Sequence, residues 1–144
     1  MGKSVFYLKR TYIVMRKMLD DRLSAFDLTT SQFEVLGYLS HTEGLEQQQL
    51  QICSGITSAT LTGILDKLEA RGLLVRRSSE ADKRAKIVAM TAHGHETFNQ
   101  LADVLATFED DMLNGFSPAE RALLADWLER IAHNLGDTDY RECE

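Results

Sequence analysis

The sequence predicts a mainly α fold with a small β-hairpin, α+β in class, and three observations carry the prediction. Apolar residues recur every three or four positions through most of the 144 residues. A single proline leaves room for long uninterrupted helices. Between residues 73 and 90 the pattern changes: Leu73 to Arg77 and Ala85 to Met90 are β-prone runs, separated by the polar loop Ser78 to Arg84.

From Ser4 to Phe26, the positions Val5, Leu8, Tyr12, Met15, Leu19, Leu23 and Phe26 form one helical stripe with basic residues among them. Asp27 and Leu28 break it, and Thr29 or Thr30 can cap a second helix bearing Phe33, Leu36, Tyr38 and Leu39, to about His41. Glu43-Gly44 turns into a short helix around Glu46 to Cys53, and Gly55 turns the chain again. Thr57 is placed to cap a fourth helix with Leu61, Ile64, Leu65 and Leu68 on its buried side. Ser58, Thr62, Lys67 and Arg71 lie elsewhere on its surface, and Gly72 stops it as a C′ glycine. After the hairpin, Thr91 caps a helix expected to run to about Leu113, with Phe98, Leu101, Leu105, Phe108 and Met112 on one stripe. Ser117-Pro118-Ala119-Glu120 is a capping box with Pro at N1, ahead of Leu123, Leu124, Trp127, Leu128, Ile131 and Leu135.

With 44% hydrophobic and 26% charged residues, the chain suits one soluble domain. No apolar run approaches the roughly 18 residues of a membrane span, and Lys9 and Arg10 interrupt any signal core. The expected compartment is the cytoplasm, with no membrane partner. The net charge is −6, but it is unevenly distributed. Residues 1–22 hold six basic and two acidic groups, 23–66 none and five, 67–86 seven and three, and 87–144 three and twelve. Basic charge is thus confined to the first helix and the helix-hairpin block. A local positive face on an acidic chain can bind DNA, with non-specific affinity weakened and groove fit made more valuable.

Helix and hairpin together have the plan of a DNA reader. Ser58, Thr60 and Thr62 offer hydroxyls near a helix start, where they can bond phosphates or base edges or merely cap and solvate the helix. Lys67 is open between phosphate contact and solvated charge. Lys83 and Arg84 occupy the hairpin tip, from which a long cation can enter a narrow groove, and Lys86 follows in the second strand. Arg76 and Arg77 alternate across the first strand, so at most one faces DNA while the other braces the hairpin. Asp82 reads as structural, orienting an arginine or the turn amides. The first and last two helices carry long apolar stripes and are expected to pack together and against a second copy. A two-fold homodimer would set two such helices about one DNA turn apart, roughly 34 Å.

Other chemistry is thinly represented. His93 and His95 at i and i+2 do not share a helix face, so neither metal nor cofactor is expected. Without a nucleophile-base pair or phosphate loop, the chain is not expected to be an enzyme. Tyr12, Arg16, Tyr38 and His41 could line a ligand cavity, Arg16 suiting a carboxylate or phenolate, or could simply pack. Cys53 and Cys143 have no metal spacing, and the expectation is two reduced thiols, Cys53 a buried structural one rather than a redox switch, with no intrachain disulfide.

Four blocks in order resemble the MarR family of winged helix-turn-helix transcription regulators. Leu28-Thr29-Thr30-Ser31-Gln32-Phe33-Glu34-Val35-Leu36 is similar to the family's L-T-x-x-Q-F-x-V-L. Leu68-Glu69-Ala70-Arg71-Gly72-Leu73-Leu74-Val75-Arg76 is similar to its L-E-x-x-G-L-[VI]-x-R, Asp82-Lys83-Arg84 to its wing D-x-R, and Met90-Thr91-Ala92-His93-Gly94 to its L-T-x-x-G. The resemblance implies a single domain over 1–144, with a DNA-binding winged part at 29–91 and dimerisation helices at 1–27 and 92–144. It implies a homodimeric repressor on double-stranded, pseudo-palindromic operator DNA, released by a small aromatic or phenolic effector. Two departures stand out: Gly63 where the family often has Arg, and Gln51 where a small residue is common. Gly63 and the overall acidity motivate an alternative, a winged-helix protein-interaction module without direct operator binding.

Overall fold

The computed structural model describes residues 1–138 and Cys143. The elements are α1 (Lys3–Leu23), a 3-10 turn (Ser24–Phe26), α2 (Thr30–Leu39), β1 (Leu45–Glu46), α3 (Gln47–Ser54), α4 (Ser58–Ala70), β2 (Leu74–Ser78), β3 (Lys86–Met90), α5 (Ala92–Gln100), α6 (Ala102–Met112) and α7 (Pro118–Asn134). The hairpin β2–β3 pairs Leu74 with Met90 and Ser78 with Lys86. Its inner strand β3 also pairs with β1, giving an antiparallel sheet in the order β1-β3-β2. None of the described helices is long and apolar enough to cross a membrane.

Local chemistry fixes most boundaries. Thr29 Oγ1 accepts from the Gln32 amide at 3.2 Å while Gln32 Oε1 accepts from the Thr29 amide at 3.1 Å, a capping box that starts α2. Ser117 and Glu120 do the same for α7, as the sequence predicts. At the end of α4, Leu73 N–H bonds the Leu68 carbonyl at 3.0 Å and Gly72 N–H that of Glu69 at 2.9 Å. Gly72, at φ +72°, closes this Schellman motif in a backbone region that only glycine occupies cheaply.

The core gathers around α4. Leu23 of α1, Val35, Leu36 and Leu39 of α2, Leu50 of α3, Leu61, Leu65 and Leu68 of α4, and Leu74 and Val88 of the sheet are fully buried. The guanidinium of Arg71 donates to the carbonyls of Asp27 at 2.6 Å and Phe26 at 3.3 Å, clamping the end of α4 to the corner between α1 and α2. Asp27 takes a left-handed turn there, at φ +54°.

Asp20 adds a second clasp by accepting from the Thr30 amide at 2.7 Å and its hydroxyl at 2.6 Å. The Thr30 hydroxyl first, then its amide, with the charge of Arg16 assisting, outweigh desolvation and hold the Asp20 carboxyl below its usual 3.8. Its stabilisation is therefore whole above that value and is lost as pH falls through the lower folded value. Asp20→Ala is expected to cost about 1 kcal/mol at pH 7, a modest figure because the carboxylate faces solvent. Thermal unfolding at pH 7 and at pH 2–3 checks this, since the gap between the two proteins should close in acid.

Four expectations are corrected. The helix expected from Thr91 to about Leu113 is two, broken at Leu101, which ends α5 and starts α6 with φ −90° and ψ −7°. The apolar stripe continues through the buried Leu101, so periodicity hides the break. Thr57 stands at the N-cap of α4 without capping it, because its hydroxyl pairs with that of Thr60 at 3.0 Å. Strand β1, with only two residues, is too short to show a period. The thiols expected to be reduced are joined: Cys53 and Cys143 form a disulfide, with Cα atoms 5.4 Å apart, and Cys53 is half-buried rather than buried. Ninety positions separate them, and only the fold brings them together.

The stripes of α1 and α7 are poorly covered. Leu19 and Leu23 are buried, whereas Val5, Leu8, Tyr12 and Val14 toward the start of α1 are exposed. On α7, Leu123, Trp127, Leu128 and Ile131 are exposed, Trp127 by 53%. Between α1 and α6 lies an apolar groove of about 360 Å³, lined by Val14, Met15, Met18, Phe108 and Met112 and edged by Arg10 and Asp111.

Candidate nucleic-acid interface

Helix α4 presents Ser58, Thr60, Thr62, Gly63 and Lys67 to solvent because Leu61, Leu65 and Leu68 claim its other side. Its first turn and the hairpin form the walls of a polar cleft of about 370 Å³. Ser58 and Thr62 line one side, Arg76, Arg84 and Lys86 the other, and Gln47, Gln48 and Gln51 of α3 the floor. Five of the eight predicted DNA contacts thus meet in one concavity. Thr60, Lys67 and Lys83 lie outside it, on α4 and the hairpin tip.

The hydroxyls are held by weak local bonds. Thr62 donates to the Ser58 carbonyl at 2.9 Å, a back-bond that a phosphate oxygen can replace. The Thr57–Thr60 bond likewise leaves acceptor lone pairs free.

The hairpin tip is built by its own polar side chains. Asp82 accepts from the Arg84 amide at 3.0 Å, Ser79 N–H bonds Ala85 O at 2.9 Å, and Ala85 N–H bonds Asp82 O at 3.0 Å. Asp82 is therefore the turn-forming carboxylate expected of it. Among the described residues, no hydrogen bond or ion pair engages the side chains of Lys83, Arg84 or Lys86, and Lys83, Arg84 and Lys86 are exposed.

Arg76 and Arg77 point to opposite faces of β2, as strand alternation predicts, and Arg76, expected as a DNA contact, is engaged inside the protein. Arg76 reaches Asp66 at 2.6 Å and Glu69 at 3.0 Å on α4, and these partners push its own pKa up while Arg76 holds Glu69 below its usual value. It is the brace between hairpin and helix, even though it edges the cleft. Arg77 points to solvent on the other face.

A reading of the sequence for cations and hydroxyls passes over Gln47 and Gln48, and Gln51 stands out there only as a departure from the family pattern. Their run at 47, 48 and 51 places amides on successive turns of one short helix, which was the available signal. Gln47 Oε1 is buried without a hydrogen-bond partner among the described residues, an acceptor at the base of the cleft.

Residues 26–85 match the sequence profile described as the MarR family, and this span contains α2, α3, α4, β2 and the hairpin tip. A MarR-family transcriptional regulator from Silicibacter pomeroyi superimposes with a TM-score of 0.83 at 25% identity, covering 96% of this chain and 93% of that one. Residues 26–85 of the chain are similar to the MarR family. Members of this family are transcription regulators, not enzymes. Two further structures share the fold. Bordetella bronchiseptica BpsR, whose DNA binding is regulated by 6-hydroxynicotinic acid, has a TM-score of 0.83 at 24% identity, over 91% of this chain and 99% of that one. Staphylococcus aureus MepR, in complex with DNA, has a TM-score of 0.81 at 23% identity, over 93% and 98%.

The four residues read as a ligand site do not all converge. Arg16 stacks over the Tyr12 ring at 5.8 Å, donates to Tyr12 Oη at 3.4 Å and to Ser31 Oγ at 2.9 Å, and pairs with Glu34 at 3.5 Å. Burial pushes the Glu34 carboxyl up despite Arg16. Tyr38 turns inward, donating to the Cys53 carbonyl at 3.0 Å, and its pKa rises through burial and then the charge of Glu34. His41 lies on the exposed turn after α2. No group of His, Cys, Asp and Glu among the described residues is arranged to hold a metal.

Proposed function

We propose that this chain is a MarR-family transcription regulator that works as a two-fold homodimer on a pseudo-palindromic operator, as a repressor released by a small aromatic or phenolic ligand. One observation carries the DNA reading: a cleft floored by amides and walled by hydroxyls opens beside the uncommitted cations Lys83 and Arg84 at the hairpin tip and Lys86 at the start of β3. The first turn of α4 would enter the major groove, where Gln amides and hydroxyls suit base edges and phosphates. Arg84 and Lys83 would follow the adjacent minor groove. A mobility-shift titration against DNA upstream of its own gene tests this. Binding should weaken with a log-log salt slope of about 0.9 per phosphate neutralised. A folded protein with no binding, or with salt-insensitive binding, rejects it.

Segments 1–27 and 92–144 would form the dimer arms. Their support is the bare apolar stripe on α1 and α7 and the groove between α1 and α6, which a partner's helix can fill. Charge agrees, since basic α1 would meet the acidic C-terminal half. Leu128→Asp is expected to yield a folded monomer, because Leu128 is exposed within one chain. Light scattering should halve the mass, and operator affinity should fall about 100-fold or more as the second half-site loses its tethered partner.

The effector would approach Arg16, whose guanidinium already gathers Tyr12, Ser31 and Glu34. A phenolate or carboxylate can replace Glu34 on Arg16 while its ring lies against Tyr12. BpsR, regulated by a hydroxylated aromatic acid, is a precedent in the same fold.

A further inference from the structure

We infer that Gln51, on α3 rather than on α4, reads an A·T pair in each half-site of the operator, with Ile52 beside it taking a thymine methyl. The inference deepens the DNA-binding reading above and rests on it. Helix α4 has no side chain for this task in its first two turns. Its exposed positions there are Ser58, Ala59, Thr60, Thr62 and Gly63, and none extends past its γ atom. A Cβ added at Gly63 would meet nothing within 4 Å, so that part of the helix surface is bare. A hydroxyl bonds singly and suits several bases, whereas two parallel hydrogen bonds from an amide or a guanidinium separate one base pair from the others.

The cleft narrows the choice of reader. Arg76 is engaged by Asp66 and Glu69, and Arg84 belongs to the hairpin tip. Three amides remain on the floor, those of Gln47, Gln48 and Gln51. Gln47 buries its side-chain oxygen, so it does not present both halves of its amide. Among the described residues, no hydrogen bond engages the side chain of Gln48 or Gln51. Gln51 is the one anchored at the corner. Its backbone carbonyl accepts from the Gly55 amide at 3.0 Å and from the Ser54 hydroxyl at 3.4 Å, at the turn into α4, which fixes it relative to the start of that helix. Gln48 lies a turn earlier, at the beginning of α3.

An uncharged amide favours adenine. Gln51 Nε2 would donate to adenine N7 while Oε1 accepts from the N6 amino group, the pairing that fits an amide in the major groove. The short side chains of α4 would let its backbone sink toward the base edges, bringing the end of α3 within reach of the same groove. A second concavity, of about 460 Å³, adjoins the first: Gln48 and Gln51 line both, joined here by Ile52, Gly55, Ile56 and Thr57. Ile56 packs against the core, whereas Ile52 is 55% exposed. Water offers that side chain nothing, and thymine presents its methyl group at the major-groove edge.

The test is selection of bound duplexes from a randomised pool, followed by fluorescence anisotropy on the selected sequences, with the full chain, Gln51→Ala, Gln51→Glu and Ile52→Ala. The unaltered chain should select an A·T pair at one position of each half-site and lose about tenfold or more in affinity when one such pair becomes G·C. Gln51→Ala should bind the two duplexes equally, with its melting temperature and salt slope unchanged. Gln51→Glu should turn the preference toward cytosine, whose N4 amino group donates to a carboxylate. Uracil in place of thymine within the selected half-site, which removes only the methyl, should weaken the unaltered chain about threefold and leave Ile52→Ala unaffected. Gln51→Ala keeping the original preference, or weakening every duplex alike as loss of a structural residue would, overturns the inference while operator binding stands. A folded, unaltered chain that enriches no sequence overturns the DNA-binding reading and the inference with it.

Discussion

Arg84→Ala is expected to lower operator affinity about 100-fold while leaving thermal stability unchanged. The guanidinium has no partner among the described residues, so its removal breaks nothing inside the protein. The Arg84 amide, which Asp82 accepts, survives in alanine, and the hairpin tip keeps its shape. Each protomer would lose about 1–1.5 kcal/mol of groove contact, and a dimer carries two copies, which gives about 2–3 kcal/mol or roughly two decades. The salt slope should flatten by about one unit per protomer. Fluorescence anisotropy at several salt concentrations measures both quantities. A loss under tenfold would favour the protein-interaction reading, in which the hairpin serves an acidic partner. Arg76→Ala provides the contrast, because its guanidinium joins Asp66 and Glu69 and its loss should show in the melting curve as well.

Gly94→Ala should be the most damaging small substitution in the chain. Gly94 sits in the first turn of α5, where Thr91 accepts its amide at 3.0 Å and donates to the Gly72 carbonyl at 2.6 Å. A Cβ there would overlap the carbonyl oxygen of Leu73 and Cγ of Met90. Met90 can move, but the Leu73 carbonyl is backbone and also accepts from the Thr91 amide at 3.1 Å. Overpacking of this kind costs about 3 kcal/mol, or a fall of about 10 °C in Tm for a chain of this size. Gly63→Ala is the matched control: a Cβ there meets nothing, the site is an exposed helix interior, and stability should rise by about 1 kcal/mol. Differential scanning calorimetry of both variants decides the matter, and equal melting temperatures would show that the α5 start is free to shift.

Much of this architecture is legible before any coordinates. Capping boxes and C′ glycines are local chemistry, so Thr29, Gly72 and Ser117 mark boundaries that the fold keeps. Strand alternation separates the faces of Arg76 and Arg77. Features that depend on distant partners are hidden. Nothing near Cys53 announces Cys143, and the pairing of β1 follows from β3 rather than from Leu45 and Glu46 themselves. Tyr38 shares a helix with Ser31 and Glu34, yet α3 draws its hydroxyl away from Arg16. The glutamine floor is visible as a run, but its meaning appears only when α4 and the hairpin close around it.

A pivot at the Leu101 break would make α6 a lever. Eleven residues at about 1.5 Å each make a rigid rod of about 16 Å, so a pivot of about 10° at its base carries the far end through about 3 Å. That displacement approaches the rise of one base pair. In a DNA-bound dimer of the kind proposed, such a pivot would turn an angular change too small to disturb core packing into a mismatch with the pitch of the double helix.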